Sequence, residues 1–277
     1  MEESKMFYQL TRLRIGKLSL LPRLLQTTLV VVAMLIVSAV STEADLGDPT
    51  LSVYYSFDED GDTLKDGSIH GNDGKIEGKS KRDKGVIDKA IVLEPQTWID
   101  LNGPEFKNVP LEGITIAVWV NHNDPPDPQS VFDSIGTDHG SGLYHVEIRP
   151  AGFRFFHRDG AERQVFNINP GPIIKGGKWV HFTGTYDSKS GDTKTYIDGK
   201  VTHEAKGNGE LSDNWGVQAE IGHHKNSRWF DGLMDEFYMF ARALSEDEIQ
   251  EVMDGEFLSV EPADKLTTTW GSLKARR

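Results

Sequence analysis

The sequence predicts an all-β chain: two antiparallel sheets packed as a sandwich, with one short C-terminal helix. Short apolar or alternating runs recur with turn residues between them, the pattern of many hairpin-linked strands. They are LSVYYSF, KAIVL, WIDL, ITIAVWV, SVFDSI, LYHVEIR, GFRFFHR, QVFNI, KWVHFTGTYD, TKTYID, KVTHEA, VQAEIG and GLMDEFYMF. Asp198-Gly199 separates two of these runs as a two-residue hairpin signal, and Asp159-Gly160 repeats it. No sustained helical period appears before Leu244. Many short strands at hairpin spacing need a second sheet to cover their apolar faces.

The chain has 277 residues, and the first 44 read as a targeting segment outside the fold. Lys5, Arg12, Arg14, Lys17 and Arg23 precede TTLVVVAMLIVSAV, an uncharged apolar run ending in small residues. Basic, then apolar, then small is the order of a signal peptide. Val37 and Ala39, or Thr42 and Ala44, mark two cleavage points. With Leu24 and Leu25 included the run approaches the roughly 20 residues of a membrane span, so an uncleaved anchor is the other reading. Both readings send the remainder out of the cytoplasm, to the cell envelope or beyond it.

Residues 45–257 form one domain's worth of chain. It closes on a capped helix, where the Ser245 hydroxyl covers the first turn, Glu248 reaches back, and Ile249 and Val252 share a face. The segment 258–277 is polar, ends in Arg276 and Arg277, and reads as an appendage. The net charge is −13, and the first 44 residues carry five basic against three acidic side chains, so the exported part is more negative still. That balance disfavours nucleic acid and anionic lipid and favours divalent cations. The chain has no cysteine, which removes thiolate chemistry and Cys-ligated zinc.

Three segments together resemble the laminin-G-like jelly rolls of the concanavalin A-like lectin/glucanase superfamily. They are YYSFDED with Asp66 and HGNDG, the strand pair KWVHFTGTYDSKSGDTKTYIDGK, and FDGLMDEFYMFARALSEDEI, with ITIAVWV between the first two. The resemblance covers roughly residues 50–257. The fold it implies hosts lectins, adhesion modules, enzyme-appended domains and hydrolases; with the targeting segment and without the glucanase carboxylate run, the chain is expected to be an exported, non-catalytic binding module whose partner is a glycan or a surface protein. Contact with a membrane would come only through an uncleaved N-terminal segment. It also implies a calcium ion near the first and last strands, carried over as Asp58 and Asp235, with Asp66 and Asn72 as further ligands. Calcium takes six to eight oxygen ligands, and the acidic run from Asp58 to Asp62 lacks the glycine and closing glutamate of an EF-hand.

Asp235 and Glu236 stand side by side in an otherwise apolar run. A buried unpaired carboxylate costs several kcal/mol. Strand alternation therefore predicts one facing inward, to a cation or a hydrogen-bond network, and its neighbour facing out. The paired-carboxylate run of glucanases on this fold, Glu-x-Asp-x-x-Glu, is absent. Glu147 and Glu220 are the nearest substitute for a glycoside hydrolase or lyase; the plainer expectation is two solvent-facing strand glutamates. A purely structural envelope component is a third reading. His223-His224 and Asp138-His139 raise transition-metal binding against a reading as surface histidines; adjacent histidines on a strand would not readily share an ion, whereas in a loop they could. For ligand contact the loops offer Asp138, His139 and Trp215, the last beside Asp213 and Asn214 as a face for a sugar ring. Trp119 and Trp179 are expected in the core or between sheets.

Overall fold

The computed structural model describes residues 46–124, 127–137, 143–225 and 227–258. The targeting segment, the tail beyond Leu258, and Asp138 with His139 lie outside the described residues. In chain order the strands are β1 (Leu51–Tyr55), β2 (Thr63–Leu64), β3 (Gly74–Glu77), β4 (Arg82–Lys84), β5 (Lys89–Leu93), β6 (Trp98–Asp100), β7 (Gly113–His122) and β8 (Gln129–Ile135). There follow β9 (Tyr144–Ile148), β10 (Arg154–Arg158), β11 (Gln164–Ile168), β12 (Val180–Asp187), β13 (Asp192–Ile197), β14 (Lys200–Lys206), β15 (Gln218–Ile221) and β16 (Gly232–Phe240). Helix α1 (Glu246–Asp254) closes the fold. Among the described residues no helix is long and apolar enough to cross a membrane.

The strands form two eight-stranded antiparallel sheets, as the sequence predicts. The first runs β14-β13-β12-β7-β16-β5-β4, with β1 also on β16, and the second runs β11-β10-β9-β8-β15-β6-β3-β2. Alternation fills the space between them. Val53 and Tyr55 of β1, Ile114, Ile116, Val118 and Val120 of β7, and Phe237 and Met239 of β16 belong to one buried cluster with residues of the second sheet, such as Val146 and Phe155. A second cluster lies on the other face of the first sheet, where Ile249 and Val252 of α1 pack with Leu51, Tyr54, Tyr238 and Phe240. The capping box forms as expected: Glu248 N–H donates to Ser245 Oγ, and Ser245 N–H donates to Glu248 Oε2.

The two hairpin signals resolve differently. Asp198 (φ 49°) and Gly199 (φ 72°) both lie in the left-handed region, and Ile197 pairs with Lys200, so this is the two-residue turn. At Asp159-Gly160 the connection instead runs to Arg163, because the Asp159 carboxylate accepts the amides of Ala161 and Arg163 and holds a wider loop. Trp119 and Trp179 are half-buried and absent from the core, correcting that expectation. Trp119 alternates with inward-facing Val118 and Val120 and lies on the outer face against His181, ring centroids 5.1 Å apart.

Candidate functional site

Each sheet buries carboxylates. In the first, β16 changes partner midway along one side, pairing with β5 through Met234 and with β1 from Phe237. On its other side the register against β7 slips by one residue between Asp235 and Tyr238. This is a β-bulge, with Glu236 in the left-handed region (φ 52°). Met234 and Phe237 both face the inter-sheet core, an odd spacing that alternation forbids and a bulge permits. Asp235 and Glu236 are consequently both buried, correcting the expectation that one faces water. The Val86 and Ile87 amides donate to Asp235 Oδ2 at 2.8 and 3.1 Å, and the hydroxyls of Tyr54 and Tyr238 donate to Glu236 Oε2 at 2.9 Å each. Asp235 Oδ1 and Glu236 Oε1 are buried without a hydrogen-bond partner. Burial pushes Asp235 up to about 7 and Glu236 up to about 8, and the Asp58 charge adds to both shifts.

The structure thus brings Asp58 and Asp235 within electrostatic reach, Asp58 itself accepting the Lys89 amide at 2.9 Å. Asp66 and Asn72 join a different network. The two oxygens of Asp66 accept from the amides of Tyr54, Ser68 and Asn72 and from the Ser68 hydroxyl. Asn72 donates to the carbonyls of Ser52 and Lys107 and accepts the Lys107 amide. These bonds fold the loop around β1, and none of them runs to Asp235.

The second sheet concentrates its charge on the face away from the core. Register aligns Phe156 of β10 with His145 of β9, and Asp133 of β8 with Glu220 of β15, which also opposes Asp100 of β6. Glu147 lies two residues along β9 opposite Arg154. After β15 the chain turns back over this face: the Ser130 amide donates to the Arg228 carbonyl, placing His223, His224 and Arg228 above the strands. Glu147, Glu220, His223 and His224 are therefore buried, where solvent-facing glutamates and surface histidines were expected. Both histidines lie past the end of β15, so strand alternation does not govern them. His223 Nδ1 bonds Glu220, whereas His224 Nδ1 lies 2.8 Å from Asp133 Oδ2. Arg228 pairs with Glu147, and His145 Nδ1 lies 3.2 Å from Glu147 Oε1.

The electrostatics separate the carboxyls of this face. Burial opposes ionisation of Glu147, but the hydrogen bond from His145 and the charges of Arg228 and Arg154 outweigh it and hold the group down at about 2. Asp133 is pushed well above its ordinary value by burial, reinforced by the charges of Glu147 and Glu220. His224 falls to about 4 through burial and the Arg228 charge. Sequence reasoning found Glu147 and Glu220 but missed Asp133, His145 and Arg228. The available signal was a charged residue inside QSVFDSI, a run buried throughout.

Beside this cluster two half-buried indoles meet. Trp98 of β6 and Trp229 lie with ring centroids 5.7 Å apart, and His223 stacks on Trp229 at 4.2 Å and 18°. Asp100 and the exposed Lys75 oppose one another one row along the sheet from Trp98, which pairs with Glu77, and Gln218 lies two residues before Glu220 on β15. Trp215, expected as the sugar-facing indole, is 1% exposed and packs against Phe106, Phe132 and Tyr144. Its loop folds inward, so it is a core residue. A separate cleft of about 280 Å³ is lined by His122, Asp124, Arg149, Ile173 and Lys175, among others.

A family model described as the concanavalin A-like lectin/glucanases superfamily matches residues 95–250. No curated protein matches the sequence. Among solved structures, domain 4 of AbnA, a GH43 extracellular arabinanase from Geobacillus stearothermophilus in complex with arabinotriose, is 20% identical, with a TM-score of 0.58 over 74% of this chain and 98% of that one. The botulinum neurotoxin serotype G binding domain is 16% identical, with a TM-score of 0.59 over 74% of this chain and 51% of that one. A botulinum neurotoxin type C structure, whose cell entry depends on two ganglioside molecules, is 16% identical with a TM-score of 0.56, covering 78% of this chain and 53% of that one. The chain thus spans nearly all of the arabinanase module and about half of each toxin chain.

Proposed function

The chain belongs to the concanavalin A-like lectin/glucanases superfamily, and on that footing we propose that it is an exported, non-catalytic module that binds glycan on the outer face of its second sheet. The observation carrying this is the Trp98–Trp229 pair, half-open to solvent, with Asp100 and Lys75 one row along the sheet. A sugar ring needs an apolar face to stack on and polar groups for its hydroxyls, and this patch supplies both. The arabinotriose bound to the arabinanase module and the gangliosides of the toxin support the same ligand class. A surface protein is the second reading, supported by the synaptotagmin bound to another botulinum binding domain.

The hydrolase alternative has less behind it. Glu147 is locked to Arg228 and Glu220 to His223 beneath the returning loop, which closes that pair to a substrate. Calcium at Asp58 and Asp235 remains part of the proposal, supported by the partnerless Asp235 Oδ1 and the nearby Asp58 charge. The test is a glycan array including arabino-oligosaccharides and ganglioside headgroups, probed with the wild-type chain and Trp229→Ala, with and without calcium. Selective binding lost in the variant supports the reading; no selectivity, or selectivity indifferent to Trp229, contradicts it.

A further inference from the structure

We infer that Asp133, His145 and His224 form a binding site for a divalent transition metal of the zinc class. One carboxylate oxygen of Asp133 and one ring nitrogen from each histidine lie within 4.8 Å of one another, and all three residues are buried. They come from β8, β9 and the segment that folds back after β15, so the site is built by the sheet and closed by the returning loop. The calcium proposal concerns oxygen ligands on the other sheet and is independent of this one.

Two further observations point to a ligand. Asp133 is 1% exposed, and its Oδ1 has no hydrogen-bond partner although Oδ2 bonds His224. A buried carboxylate oxygen without a donor is costly unless something positive completes it. His145 also has the support that metal-binding imidazoles characteristically have. Its Nδ1 lies 3.2 Å from Glu147 Oε1, a carboxylate that orients the ring. Arg228 lies 3.2 Å from the same nitrogen and takes Glu147 as its own acceptor, holding the carboxylate in place.

Ligand chemistry selects the metal. Two imidazoles and one carboxylate suit zinc and its neighbours, whereas calcium and magnesium require oxygen-rich shells of six or more ligands. Three protein ligands leave a fourth position for water or an incoming ligand atom.

The experiment is equilibrium dialysis of the full exported domain, stripped with chelator, against zinc, with cobalt(II) absorption as a second readout. The wild type should take up about one zinc per chain and, with cobalt, show the intense visible bands of a four- or five-coordinate ion. Asp133→Asn, His145→Gln and His224→Gln should each abolish that saturable equivalent, and the exposed-strand variant His203→Gln should leave it unchanged. Glu147→Gln should weaken binding by about 10- to 100-fold through the supporting shell. Zinc uptake equal in wild type and all variants, or none in the wild type, would overturn the inference. Should the core variants fail to fold, X-ray absorption of the zinc-loaded wild type decides: two imidazoles with oxygen sustain the site, and a shell without imidazole removes it.

Discussion

Asp235 with Glu236 on the first sheet and Glu147 on the second are buried in opposite ways. Among the described residues, Asp235 and Glu236 on the first sheet meet only amides and hydroxyls, and each keeps one oxygen without a partner. Glu147 on the second sheet is faced by Arg228, Arg154, Arg149 and His145. Burial disfavours ionisation in both places, yet Asp235 and Glu236 are pushed to about 7 and 8 whereas Glu147 is held at about 2. Burial alone does not set the protonation state; the presence of a fixed cation does. The Asp235–Glu236 pair is consequently ready to take a proton or a cation, whereas Glu147 is already neutralised by the protein.

The largest expected effect comes from removing the cation of the second region. Arg228→Ala leaves Glu147 buried without its closest partner and should lower stability by roughly 4 kcal/mol at pH 7, measured by urea unfolding. The equivalent neutralisation in the first region should have the opposite sign. Glu236→Gln keeps an acceptor for the two tyrosines and removes a charge with no counter-ion, so at pH 9 it should be neutral or stabilising. Destabilisation by both substitutions would erase the contrast.

The pH profile sharpens the same point. The folded-state values of Asp235 and Glu236 lie above the ordinary carboxyl range, so the native chain holds more protons than the unfolded one between about pH 4 and 8. Their contribution to stability therefore falls as pH rises through that window, by several kcal/mol in calcium-free buffer. Glu147 is depressed, so its contribution is present above its ordinary value near 4.5 and is lost as pH falls toward 2. Thermal melts across pH 3–9 should show both arms, with the high-pH arm removed in the Asp235→Asn/Glu236→Gln double variant.

Calcium should substitute for the missing cation of the first region. At free calcium about a hundredfold above its dissociation constant, the expected gain is roughly 2.7 kcal/mol. Melting temperature should rise with calcium, fall with chelator, and lose this response in Asp235→Asn. The smallest effect concerns the roof over Glu236. Phe257, just beyond α1, packs edge-on against Tyr238, whose hydroxyl holds that carboxylate. Ser245→Ala should remove about 1 kcal/mol by deleting the helix cap and should lower the pH at which the high-pH arm ends.

Most of the fold was legible because most strands carry their own signal. β7, β12, β13 and β16 have strong apolar alternation, and Ser245 with Glu248 marks the start of α1. β2, β3 and β4 were not readable: they span two to four residues, and β4 is Arg-Asp-Lys, a charged edge strand with no apolar pattern. The site was less legible for two physical reasons. A bulge at Glu236 breaks the period on which alternation arguments rest. Asp133 and His224 are 91 positions apart and meet only because β8 lies between β9 and β15, a strand order that no local pattern encodes. Trp215 misled because a loop tryptophan beside polar residues looks the same in sequence whether its loop folds outward or, as here, into the core.

The most direct test of the account is a calorimetric titration of the array-selected glycan into the wild-type chain, Trp98→Ala and Asp235→Asn, with calcium held constant. Base- or sugar-sized stacking on an indole contributes enough that the account predicts at least a tenfold weaker affinity in Trp98→Ala, at a melting temperature close to wild type, and little change in Asp235→Asn. Unchanged affinity in Trp98→Ala, with loss confined to Asp235→Asn, would contradict it and move the binding site to the first sheet.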